Sequence, residues 1–175
     1  MKLLLATKNK DKVTEIRAVL ADLAIEIFSA ADMPELPDVV EDADTLEGNA
    51  LKKAKTLFEL TGLPSVADDT GLEVHALNGA PGVYSARYSG ENATYADNVN
   101  KLISEMTGVR SGEREAQFRT VVAFVAPGVS ETMDGICDGE IAKEARGERG
   151  FGYDPVFVVR GTEKTMAEMT IEAVS

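Results

Sequence analysis

Apolar residues fall along the chain in two rhythms, short runs of strand length and longer sets spaced by three and four. Residues 2–6, K-L-L-L-A, form a run that stops at T-K-N-K-D-K, Thr7 to Lys12, predicting a buried first strand and then a polar loop. Val13, Ile16, Leu20 and Leu23 predict a helix from about Asp11 that buries their common face. Ile25–Phe28 reads as a second strand, and the proline- and acid-rich stretch from Met33 to Asp44 as a loop. Thr45 is placed to cap a helix whose apolar positions are Leu46, Ala50, Ala54, Leu57 and Phe58, with Lys52, Lys53 and Lys55 largely on other faces. Thr61-Gly62 marks its stop.

Val66 and Ala67 suit a buried strand, while Asp68, Asp69, Thr70 and Gly71 are poor strand formers expected at its carboxyl end. Tyr95, Val99, Leu102, Ile103 and Met106 predict an amphipathic helix. Ala116–Ala126 is a long strand that Pro127-Gly128 turns towards a partner within residues 131–142, expected to be an exposed, irregular arm. Gly147 to Val159 reads as a glycine-rich turn feeding a strong strand. No internal repeat or low-complexity tract interrupts the series.

At 175 residues, with 44% hydrophobic and 27% charged residues, the chain fits one globular domain spanning 1–175. A net charge of −12 opposes non-specific attraction to a nucleic acid backbone, so an anionic substrate needs local positive groups or a metal. One cysteine, Cys137, leaves no intramolecular disulfide, and one histidine, His75, makes a Cys/His zinc site improbable. Leu3–Leu5 is too short a run for a signal peptide, and no segment approaches transmembrane length. A cytoplasmic protein without a membrane partner is the expectation.

Candidate chemistry gathers in A-D-D-T-G-L. Adjacent carboxylates at the end of a strand cost repulsion unless a cation lies between them, and oxygen-rich sites of this kind hold Mg²⁺ when a substrate phosphate completes the octahedron. An Asx-type turn capping the strand is the plain alternative. The loop Thr7–Lys12 sits between a strand and a helix amino terminus, where backbone N–H groups and the dipole attract phosphate and Lys8, Lys10 and Lys12 add charge. Solvated lysines at a helix start are the alternative there. Glu41, Asp42 and Asp44 are either solvated loop charges or a further metal ligand beside Asp69. The segment Leu77–Gly90, dense in glycine and small residues around Arg87, is a candidate functional loop. In G-F-G-Y-D-P, Phe151 and Tyr153 flank Gly152, which lets a ring lie against a flat ligand, or alternatively builds a hydrophobic strand entry.

Taken together, A-T-K-N-K-D-K, T-L-E-G-N-A-x-x-K-A, A-D-D-T-G-L, G-A-P-G-V-Y-S-A-R-Y and G-F-G-Y-D-P-V-F resemble the inosine triphosphate pyrophosphatase family over nearly the whole chain. The resemblance implies an elongated α/β fold with a central mixed β-sheet flanked by helices, a cleft between two lobes, and a homodimer. It implies Mg²⁺-dependent hydrolysis of ITP, dITP and XTP to monophosphate and pyrophosphate. It makes Thr7, Lys8, Asn9, Lys10, Asp11 and Lys12 the triphosphate loop, Glu41 a metal-binding acid, and Asp69 the carboxylate for Mg²⁺ and for activating water. Asp68 is then the acidic neighbour at the metal, Thr70 a substrate-contacting hydroxyl, and Phe151, Gly152, Tyr153 and Asp154 the segment over base and sugar. After K-T-M-A-E-M-T the sequence reads I-E-A-V-S, where the family continues with E-E-K and a Ser-His-Arg motif that read the 6-oxo purine. That departure implies looser base selection, and it leaves open a nucleotide-binding protein with little turnover or a relaxed-specificity pyrophosphatase.

Overall fold

The structure, a computed structural model, describes residues 1–169; the departure at Ile171–Ser175 lies outside the described residues. The chain folds as two compact units. The first comprises Met1–Asp69 and Thr120–Asp134, the second Thr70–Arg119 and the chain from Gly135 on. Among the described residues, three α-helices and a mixed sheet bear out the α/β reading. Strand order is β2-β1-β3-β5-β6-β7 with β4 on β3, where β1 is Lys2–Leu5, β2 Glu26–Ser29, β3 Ser65–Val74, β4 Pro81–Gly82, β5 Glu115–Ala126, β6 Val129–Ile141 and β7 Phe157–Val159.

In the first unit, β1 lies between two parallel neighbours, with Leu4 opposite Phe28 of β2 and Ser65 of β3. A strand covered on both sides is apolar throughout, and Leu3, Leu4 and Leu5 are buried, each worth about 1.5–3 kcal/mol of transfer free energy. The chain leaves β1 through helix α1, Lys10–Leu20, to reach β2 on one side. It leaves β2 through helix α2, Leu46–Thr61, to reach β3 on the other. This reversal of direction between β1 and β3 is the topological switch point at which α/β sheets bind ligands, outside the carboxyl ends of the strands. Just past β1, Ala6 N–H donates to Val66 O of β3 at 2.8 Å. Asp68 and Asp69 therefore run on beyond the end of β1.

Helix α2 follows its sequence closely. The Thr45 side chain accepts from Gly48 N–H, Leu46, Ala50, Ala54 and Leu57 are buried at helical spacing, and Gly62 closes the helix at φ 73° with its N–H donating to Phe58 O. Lys53, set apart from the apolar positions, is nonetheless buried, 6% exposed. Helix α1 departs in the other direction, having no fully buried residue, while Leu23 lies past its end and is 53% exposed. The strand β3 does not stop at Ala67 either. It continues through Asp68, Asp69, Thr70 and Gly71 to Val74, which removes the Asx-turn reading of these residues.

The second unit is built around Leu72, Val74, Leu102, Met106, Val156 and Phe157, all fully buried. Helix α3, Tyr95–Glu105, is closed at its start by a capping box between Thr94 and Asp97. The segment Leu77–Gly90 is pinned rather than loose: Ser85 Oγ accepts from Leu72 N–H at 2.9 Å, and Asn98 of α3 accepts from Ser89 N–H and donates to Ala86 O. The partner of β5 is exposed as expected from Val129 to Ile136, but it is a regular strand of 13 residues. The expected strong strand after Gly147 shrinks to the three residues of β7, because Asp154–Val156 closes a 3-10 turn first. Gly139 of β6 faces Val159 of β7, and a Cβ there would stand 2.2 Å from Val158 O and 2.7 Å from the Phe157 ring. Since a backbone carbonyl cannot yield as a side chain can, Gly139→Ala is expected to destabilise the protein by about 3 kcal/mol in urea titration, at the upper end for overpacking.

Candidate active site

The two carboxylates of β3, Glu41 and two lysines form one charged cluster at the switch point of the first unit. Successive residues of a strand project to opposite faces, and Asp68 and Asp69 accordingly find partners on different helices. Asp68 Oδ2 lies 3.4 Å from Lys12 Nζ on the first turn of α1. Asp69 Oδ2 accepts from Asn49 Nδ2 of α2 at 3.1 Å. One turn on from Asn49, Lys53 pairs with Glu41 Oε1 at 2.9 Å and also donates to the backbone carbonyl of Asp68. Asn49 and Lys53 stand at i and i+4, one step round the helix from Ala50 and Ala54, so the apolar stripe of α2 has a polar edge beside β3.

The charges are coupled. Burial alone would depress the Lys12 ammonium, but Asp68, Asp69 and Glu41 outweigh it and hold Lys12 above its ordinary value. Burial, reinforced by the charge of Glu41, pushes the Asp69 carboxyl up against the opposing pull of Lys53, Asn49 and Lys12. Three acids against two lysines leave a net negative cluster of oxygen donors, the chemistry that a hard divalent cation fits. Among the described residues, no three His, Cys, Asp or Glu side chains converge as a ready-made metal cage. A cation here would draw on carboxylates of this cluster and complete its shell with water and phosphate, which is the habit of Mg²⁺. Asp68, expected as a further ligand, pairs through Oδ2 with Lys12.

The loop before α1 is more self-contained than its sequence suggests. Asn9 caps the helix, its Oδ1 accepting from the N–H groups of Asp11 at 3.0 Å and Lys12 at 3.3 Å, and Thr7 Oγ1 accepts from Asn9 N–H. Asn9 thus occupies two of the N–H groups expected to cradle phosphate, a capping role. Lys8 is tied to Asp38 at 3.1 Å and to the Leu36 carbonyl, and Lys10 is exposed. Lys12 is the lysine of this loop that joins the acids.

The glycine-rich turn belongs to the second unit, as does Thr70, half-buried in β3. Phe151 is half-buried with its ring 5.9 Å from that of Tyr95. Tyr153 is not a surface ring: it is buried, and its hydroxyl donates to Ser85 O at 2.6 Å, bracing the turn against the pinned loop. Asp154 Oδ2 folds back to accept from Phe151 N–H at 3.1 Å. Burial pushes Asp154 up from 3.8 to about 6, the Phe151 N–H pulling the other way. An acid whose folded value is raised contributes its full stability below the unfolded value and loses it as pH rises through the folded one. Asp154→Asn, which keeps an acceptor for Phe151, is therefore expected to match the parent near pH 4 and exceed it by up to about 3 kcal/mol above pH 7, measured by chemical denaturation at both.

Asn49 and Lys53 were assigned no role from sequence, although both stand in the motif T-L-E-G-N-A-x-x-K-A. Their i, i+4 spacing beside the alanine stripe was the available signal.

Comparison with known proteins gives a consistent answer. The Ham1 family profile matches residues 3–174. The chain is 50% identical over 173 residues to the dITP/XTP pyrophosphatase of Geobacter sulfurreducens, covering 98% of this chain and 87% of that protein. It is 49% identical over 171 residues to the dITP/XTP pyrophosphatase of Desulfotalea psychrophila, covering 97% and 76%. The solved structure of a HAM1 protein from Coxiella burnetii superposes with a TM-score of 0.87 at 38% identity, covering 99% of this chain and 89% of that one. No helix among the described residues is long and apolar enough to cross a membrane.

Proposed function

The chain belongs to the Ham1 family, and from that membership and the buried acid–lysine cluster we propose that it is a dITP/XTP pyrophosphatase acting through Asp69. It hydrolyses aberrant purine nucleoside triphosphates, dITP, ITP and XTP, to the monophosphate and pyrophosphate. The observation that carries the reading is the charge-coupled set at the switch point, Asp68 paired with Lys12, Glu41 paired with Lys53, and Asp69 coupled to both lysines. Hydrolysis of a phosphoric anhydride is mostly positioning and charge neutralisation, and this cluster offers both.

In the proposed reaction Asp69, its Oδ2 held by Asn49, accepts a proton from water as the water oxygen bonds to the α-phosphorus. The bond from the α-phosphorus to the bridging oxygen breaks, and pyrophosphate leaves with that oxygen. Lys12 meets phosphate charge, helped by Lys8 and Lys10 where the loop approaches the ligand. Lys53 keeps Glu41 and the Asp68 backbone in place. Glu41 and Asp69, with Asp68 beside them, would hold Mg²⁺, which when bound offsets phosphate charge and orients the attacking water. Thr70 and the Phe151–Asp154 segment serve the substrate's sugar and base, Tyr153 by shaping the turn. The resemblance supports a homodimer, and the nucleotide substrates, with a free Cys137, support a cytoplasmic location.

Hydrolysis in ¹⁸O-labelled water tests the bond assignment. Label in the monophosphate and none in pyrophosphate is expected; label in pyrophosphate or in inorganic phosphate would mean attack at another phosphorus.

A further inference from the structure

Asn49 has no exposed surface, and a buried carboxamide needs partners at both ends. Its Oδ1 accepts from Ala43 N–H at 2.9 Å, and its Nδ2 donates to Asp69 Oδ2 at 3.1 Å. The orientation of the amide is fixed by chemistry, because a backbone N–H can only donate and a carboxylate can only accept. One side chain therefore joins β3 to the loop two residues after Glu41. The start of α2 is shaped to allow it. A Cβ on Gly48 would stand 2.8 Å from Ala43 Cβ and 3.1 Å from Thr45 Oγ1, so the loop lies against the helix at a distance that only glycine permits.

We propose that Asn49 is a positioning residue for hydrolysis, a carboxamide bridge holding the Asp69 carboxylate and the Glu41-bearing loop in one mutual arrangement, with Gly48 as the glycine that lets the loop reach it. The inference rests on the reading of Asp69 as the group that handles water. Asp69 is drawn towards both Lys53 and Lys12 while Glu41 repels it, so its carboxylate needs a fixed donor to keep one orientation. Asn49 supplies that donor without adding charge to the cluster. Alanine leaves Ala43 N–H and Asp69 Oδ2 without this partner. Aspartate retains an acceptor for Ala43 but presents a like charge to Asp69.

The test compares Asn49→Ala, Asn49→Asp and Gly48→Ala with the parent and with Asp69→Asn, by kcat and KM on dITP, thermal unfolding, and Mn²⁺ titration of the nucleotide-free protein by electron paramagnetic resonance. Because misorientation costs rate more than binding, Asn49→Ala is expected to lose at least about 30-fold in kcat with KM within about threefold. Its Mn²⁺ binding should weaken by about fivefold or more, and Gly48→Ala should move both readouts the same way by less. Should Asn49→Ala fail to fold, Asn49→Asp decides, with a comparable kcat loss in a folded protein expected. A folded Asn49 variant within about threefold of parental kcat overturns the bridge, as does a loss that disappears well below the melting temperature. An active Asp69→Asn reference would sink the underlying reading instead, and the Mn²⁺ titration would still decide the bridge.

Discussion

Replacing Asp69 by asparagine is expected to lower kcat on dITP by about 10²- to 10⁴-fold, the range for losing a general base, while the melting temperature is kept. Both halves follow from where the residue sits. Asp69 is 6% exposed, with Glu41 near enough to repel it. An amide of the same shape removes that repulsion, and it can still contact Asn49 through its oxygen. Stability therefore gives no reason for a carboxylate at this position, whereas proton abstraction and cation binding both do. Steady-state kinetics and thermal unfolding on one preparation check the dissociation. A variant that hydrolyses dITP at the parental rate would remove Asp69 from the mechanism, and one that loses activity only because it unfolds would make the residue structural.

The second large effect is expected from Lys53→Met, which keeps the length of the side chain and removes its charge. Lys53 bonds Glu41 Oε1 and the Asp68 carbonyl from inside the protein. Breaking a buried pair from one side costs about 3–5 kcal/mol, and because Glu41 is one-third exposed the expected loss is about 2–3 kcal/mol. The variant should turn over at least about tenfold more slowly, since the Glu41 loop loses its anchor. Mg²⁺ should raise its melting temperature more than it raises the parent's, because a cation bound to the folded state replaces the missing charge. Unfolding with and without Mg²⁺ measures this. An unchanged melting temperature and rate would make Lys53 a bystander.

What was legible in the sequence, and what was not, divides along a physical line. The strand β1 and helix α2 were readable because local pattern and caps agree with their surroundings: Leu3–Leu5 are apolar and covered on both sides, and Thr45 and Gly62 bound the helix they suggest. The acids were misread as a strand ending. Strand propensity reflects surroundings more than backbone, and D-D-T-G stays extended where Lys12, Asn49 and Lys53 receive its polar groups. The burial of Lys53 was not legible because lysine is rarely buried unless paired, and its partner Glu41 lies on another element. The α1 pattern showed which face is apolar but not how much of it is covered, so Val13 and Ile16 end up half-buried. The bond from the Tyr153 hydroxyl to the Ser85 carbonyl was not legible because the two lie 68 residues apart in sequence.

The measurement that bears most directly on the function is pyrophosphate release by the purified chain from dITP and XTP beside dATP and dGTP, with and without Mg²⁺. The expected result is Mg²⁺-dependent release, with kcat/KM for dITP and XTP above that for the ordinary nucleotides by about tenfold or more, the order of discrimination that one buried polar mismatch gives. Nucleotide binding without release of pyrophosphate under any condition, or equal rates on all four nucleotides, would contradict it.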